Sequence, residues 1–88
     1  MKLTSEQKSL LRQNLLLQME SSSPVSLPLM ILVQGVHLAG FRLEDDAVGD
    51  HLDWLVEHGY VRQQDDEMGS GARRWKLTDE GRAYLQSV

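Results

Sequence analysis

Apolar residues recur along this chain with two different periods, and the change of period marks out its elements. Val48, Leu52, Leu55 and Val56 follow a spacing of 4, 3 and 1, which places them on one buried stripe of a helix. Gly59 ends that stripe. Beyond it the residues read as strands: Tyr60 to Gln64, a loop from Asp65 to Gly71, and a return strand from Ala72 to Leu77. Alternation puts Trp75 and Leu77 on the same face of the return strand. Gly69-Ser70-Gly71 gives the loop freedom to turn. Thr78 then caps a closing helix, with Asp79 and Glu80 in its first turn and Ala83, Tyr84 and Leu85 along it.

The first half is helical by the same reasoning. Thr4 or Ser5 is the expected N-cap of a helix reaching about Glu20, and Ser5 to Lys8 does not form a strict capping box. Leu3, Leu10, Leu11, Leu15, Leu16, Leu17 and Met19 cover more than one narrow stripe. Part of that face, Leu10, Leu16 and Leu17, is expected either to complete the core or to meet a second copy in a homodimer. Ser21-Ser22-Ser23-Pro24 breaks the helix. Pro28 fits the first turn of a second helix through Leu29, Met30, Ile31, Val33 and Val36 to about His37, mostly buried and closed by Gly40. Phe41-Arg42-Leu43 is a connector long enough for one sheet-like pairing. Glu44, Asp45 and Asp46 stand where acids favour the start of a third helix.

At 88 residues the chain is expected to form one domain over 1–88, with ordinary globular composition. It has no cysteine, which removes disulfides, thiolate metal sites and thiol nucleophiles. The polar start has no signal-peptide pattern, and the apolar run from Leu27 to Ala39 is interrupted and too short to span a bilayer. A cytoplasmic location, with no membrane contact, is the expectation.

The net charge is −4, but it is unevenly spread. Residues 1–43 sum to +2, residues 44–67 to −8, and residues 68–88 to +2. An acidic band thus lies between two mildly basic ends, so an anionic ligand is expected at the first helix or the hairpin.

Two sequence blocks carry a family resemblance. Leu52-Asp53-Trp54-Leu55-Val56-Glu57-His58-Gly59-Tyr60-Val61 is followed by Arg74-Trp75-Lys76-Leu77-Thr78-Asp79-Glu80-Gly81. Together they are similar to the leucine-glycine and leucine-threonine-glycine elements of bacterial regulators of the MarR, PadR and DeoR kinds. The chain also resembles small winged-helix proteins of Mu-like prophages. The resemblance implies a mainly α, α+β winged helix-turn-helix fold, with three helices, a two-stranded wing and a short C-terminal helix. It implies a DNA-binding protein, either a transcriptional regulator or a phage-derived accessory factor.

In the DNA-binding members the third helix enters the major groove and offers donors to base edges. Here the outward face holds Asp46, Ala47, Asp50, Asp53, Trp54, Glu57 and His58, with His51 at its flank and no Arg, Lys, Asn or Gln. Two unit charges about 8 Å apart cost roughly 2 kcal/mol at an effective dielectric of 20, so this face repels phosphates. The wing, in contrast, sets Arg73, Arg74 and Lys76 beside a flexible tip, which suits contact with duplex DNA. The alternative is that these charges only keep an edge strand from pairing.

The residues expected at DNA are therefore Arg73, Arg74, Lys76, Ser70, Arg42 and His51. A second reading is a protein-interaction module in which Trp54, Asp50 and Glu57 meet a basic partner; against it stands the plain case, Trp54 packed under the wing. His37, His51 and His58 lack ligand spacing, no phosphate-binding loop or nucleophile elbow is present, and the paired acids lie on exposed turns. No enzyme, metal or cofactor is expected.

Overall fold

The computed structural model describes residues 3–65 and 73–87. In chain order these form α1 (Ser5–Ser22), β1 (Leu27–Pro28), α2 (Leu29–Leu38), α3 (Asp45–Glu57), β2 (Val61–Asp65), β3 (Arg73–Leu77) and α4 (Asp79–Ser87). The protein is mainly helical, with a three-stranded antiparallel sheet in the order β1-β3-β2.

α1 is the central element and packs on α2, α3, α4 and β3. That explains its wide apolar face: Leu11, Leu15, Leu16 and Met19 are all fully buried. Leu16 belongs to the core, which corrects its expected place at a dimer surface, whereas Leu10 and Leu17 stay about half exposed. Thr4 caps the helix through a full capping box with Gln7, Gln7 N donating to Thr4 Oγ1 at 3.1 Å and Thr4 N to Gln7 Oε1 at 2.9 Å. The box begins one residue before the Ser5 frame, where the sequence reading found none. Leu32, Val33, Val36, Val48, Leu52, Leu55, Val61, Trp75 and Leu77 complete the core.

Two expectations about the second helix need correction. Leu27–Pro28 form a strand, with Leu27 opposite Trp75 and Pro28 opposite Arg74, so the third strand lies before α2 and the Phe41 to Leu43 connector is not in the sheet. Pro28 is the N-cap of α2 and not part of its first turn. Proline tolerates both positions because neither needs its missing N–H. Only the inner face of α2 is buried; Met30, Ile31 and Leu38 are exposed, Leu38 by 91%.

Gly40 and Gly59 have φ of 100° and 77°, left-handed geometry that ends α2 and α3 as their sequence positions predict. The hairpin pairs β2 with β3 in one register from Val61 opposite Leu77 to Asp65 opposite Arg73. Among the described residues no helix is long and apolar enough to cross a membrane.

Candidate nucleic-acid interface

Directly opposed residues of an antiparallel pair share a face, and successive residues alternate between faces. Val61, Leu77, Trp75 and Leu27 define the inner face of the sheet, since Val61, Trp75 and Leu77 are buried and Leu27 packs on the core. The outer face therefore carries Arg62 opposite Lys76 and Gln64 opposite Arg74, with Pro28 beside Arg74. Three cations from two strands are thus collected on one surface. Among the residues whose side chains are described, which do not include Asp65, no carboxylate lies within 4.0 Å of any of them. Arg74 is half-buried, and its Nε is shielded from solvent with no partner among the described residues.

Arg62 is the member that sequence reasoning missed. It lies within the acidic band, and summing charge by segments hides it. The usable signal was strand parity, which places it on the face of Lys76 once the hairpin register is known.

Arg73 behaves differently from Arg74. It has the parity of Trp75, its guanidinium lies 5.2 Å from that ring's centroid, and it pairs with Asp53 of α3 at 3.8 Å. The pair is exposed at both ends, so it is a weak, salt-screened tie between the hairpin and α3. Arg73 is therefore not grouped with the outer-face cations. Ser70 and the rest of the loop tip lie outside the described residues. Arg42 is exposed on the α2–α3 connection, in an open groove that among the described residues it shares with His37, Gly40, Leu43 and Glu44. His37 in turn bonds through Nε2 to the Leu43 carbonyl at 2.8 Å, which ties that connection to the end of α2.

α3 exposes Asp46, Asp50, Asp53 and Glu57, and its C-cap His58 is exposed as well, as its stripe predicts, whereas Trp54 is only partly exposed. Its ring is half-buried and packs against the core. The Arg12 guanidinium carbon lies 3.7 Å from its centroid and the His58 ring 3.8 Å away, nearly parallel. Two groups that close have room only on opposite faces, so Trp54 is sandwiched. His58 is itself fixed by a 2.8 Å bond from Nδ1 to the Trp54 carbonyl, and Tyr60 and Tyr84 extend the aromatic column at 4.7 Å from each other. The tryptophan is contacted from α1 by a residue 42 positions away.

His51, one of the residues expected at DNA, is half-buried on α3. Burial, then the positive fields of Arg12 and Lys8, hold its imidazole below the ordinary 6.5, with Asp50 opposing them. At neutral pH it is an uncharged residue of the α1–α3 contact. Among the described residues no three His, Asp or Glu side chains converge as metal ligands.

Against protein-family models and curated proteins the chain finds no match.

Proposed function

We propose that this is a small winged helix-turn-helix protein that binds duplex DNA through its phosphates, using the outer face of the sheet. The order of helices, hairpin and closing helix supports the fold reading, together with the two sequence blocks on α3 and β3. One observation carries the functional reading: Arg62 and Lys76 are directly opposed on the outer face. Like charges placed so are destabilising by themselves, and Arg74 is added on the diagonal. A polyanion on that face relieves the repulsion. The acidic face of α3 argues against base reading in the major groove, so the contact proposed is sequence-tolerant and its role accessory or regulatory.

Fluorescence anisotropy on a short random duplex over a salt series tests this. Three phosphate contacts predict a slope of about −2.7 for log affinity against log salt, with binding at micromolar protein in low salt. Arg62→Ala and Lys76→Ala should each reduce the slope by about 0.9. No binding at low salt, or a slope that neither substitution moves, rejects the reading.

A second reading, a module for a basic protein partner, draws on the exposed Asp46, Asp50, Asp53 and Glu57 of α3. Trp54 is half-buried beside Arg12 and His58, so the exposed carboxylates would supply most of the recognition.

A further inference from the structure

We infer that the free edge of β2 is a docking site for an extended peptide segment of alternating apolar and acidic residues, which joins the sheet as a further antiparallel strand. Thr78 N donates to the Tyr60 carbonyl at 3.2 Å, so Tyr60 and Thr78 form a hydrogen-bonded pair of the ladder. Hydrogen-bonded and non-bonded pairs alternate along an antiparallel hairpin. Arg62 and Gln64 therefore turn their backbone groups to β3, while Val61 and Gln63 turn theirs outward. Among the described residues those outward N–H and C=O groups have no partner. The opposite edge is closed by its own sequence. β1 is two residues long, and its outward position is Pro28, which has no N–H to offer. β2 lacks that protection, since its pairing runs unbroken over five residues with no proline.

An open groove of about 530 Å3 borders that edge. Val61, Arg62 and Gln63 line it together, and consecutive strand residues alternate between faces, so the groove follows the edge and not one face. Val56 of α3, with Thr78 and Glu80 beside the start of α4, forms its other wall. The outward backbone groups select a polypeptide, because an extended chain offers a donor and an acceptor at every second residue, whereas a phosphate backbone offers acceptors alone. Charge selects its side chains. In an antiparallel added strand, the residues opposite Arg62 and Gln64 project onto the outer face, where the rows Arg62–Lys76 and Gln64–Arg74 hold three cations. The residues opposite Val61 and Gln63 project to the other side, where Val56 and the buried Val61 favour apolar groups. Asp79 and Glu80 disfavour acids at the α4 end, so the acidic positions lie from Arg62 toward Gln64. A second copy does not fit as well. Two β2 strands paired along their length set Arg62 against Arg62 or Gln64, with no acid brought to the outer face.

The probe is an end-blocked heptapeptide of alternating valine and glutamate, titrated into the isotope-labelled full chain and followed by NMR. No nucleic acid is present, so this inference and the DNA reading can fail separately although both use Arg62. In the free chain the Val61 and Gln63 amides should exchange with solvent at least about tenfold faster than those of Arg62 and Gln64. The peptide should slow both and shift their resonances. Methylating its valine nitrogens, which face β2, should weaken binding at least about tenfold, while methylating its glutamate nitrogens, which face solvent, should leave it within about threefold. Lysine in place of glutamate should weaken binding at least about tenfold, and Arg62→Glu should reverse that preference. No binding at millimolar peptide, equal losses from the two methylated peptides, or an unreversed preference in a folded Arg62→Glu chain would each overturn the proposal. So would outward amides protected in the dilute free chain, protected by raising the chain concentration alone, or protected by a short duplex and not by the peptide. The methylated peptides act on the native chain, so the result does not depend on the variant folding.

Discussion

A guanidinium 3.7 Å from the centroid of Trp54 has exchanged part of its hydration for the negative face of the indole. The exchange is favourable by about 0.5–2 kcal/mol, depending on desolvation. Arg12 also lowers the proton affinity of His51. One substitution reads both effects. Arg12→Ala should destabilise the protein by about 1 kcal/mol in denaturant melts and, by NMR titration, raise the His51 pKa back toward 6.5. The native protein should have a matching pH response. The folded state binds a proton at His51 less readily than the unfolded state, so stability is full above 6.5 and falls as pH drops through that value toward the lower folded pKa. His51→Gln should remove that part of the decline. A stability curve of unchanged shape would place the acid sensitivity elsewhere.

At the level of elements, the junction of α3, β2 and α4 turns on Thr78 and Gly81. The Thr78 hydroxyl donates to the Gly59 carbonyl at 2.6 Å and accepts from Gly81 N at 3.0 Å, so one side chain joins the turn after α3 to the start of α4. A Cβ on Gly81 would run into the Tyr60 carbonyl oxygen and come within 2.7 Å of Leu77 Cδ1. Backbone cannot yield as a flexible side chain can. Thr78→Ala should lower the melting temperature by about 4–8 °C, for a loss near 1 kcal/mol, and Gly81→Ala by more. A Gly81→Ala protein as stable as the native one would show that the junction relaxes freely. The same junction explains which elements were legible in the sequence. Thr78, Gly59 and the Val48 to Val56 stripe are local signals, fixed by residues within a few positions of one another, and they specify α3, the hairpin and α4. β1 is not local: Leu27–Pro28 become a strand only because the free edge of β3 is available, and a proline before an apolar run reads equally well as a helix start. The site divides along the same line. Lys76 and Arg74 were visible from β3 alone, Arg62 needed the register across the hairpin, and the covering of Trp54 needed a contact between α1 and α3 that no periodicity encodes.

Across the whole molecule, the cations of the outer sheet face compete with an acidic α3, and the distance over which the acids act distinguishes two ways of meeting a duplex. If α3 is turned away, Asp50 and Glu57 oppose binding only through the solvent, and salt screens charges separated by more than a Debye length, about 10 Å at 0.1 M. The combined Asp50→Asn and Glu57→Gln variant should then bind several-fold more tightly at low ionic strength and no differently at high salt. If α3 lies against the duplex, the acids are desolvated by the contact, and removing them improves binding at every salt concentration. Asp53 is a separate case, because it holds Arg73 at 3.8 Å. Asp53→Asn frees that cation on the inner-face side of β3. With the duplex on the outer face the salt slope should therefore stay near its native value, as it should for the other two substitutions, and a slope steeper by about 0.9 would bring the duplex to the α3 side of the sheet. Anisotropy titrations of these two variants and the native protein at several salt concentrations provide the comparison. A gain from Asp50→Asn and Glu57→Gln that persists in high salt would move the interface from the sheet to α3.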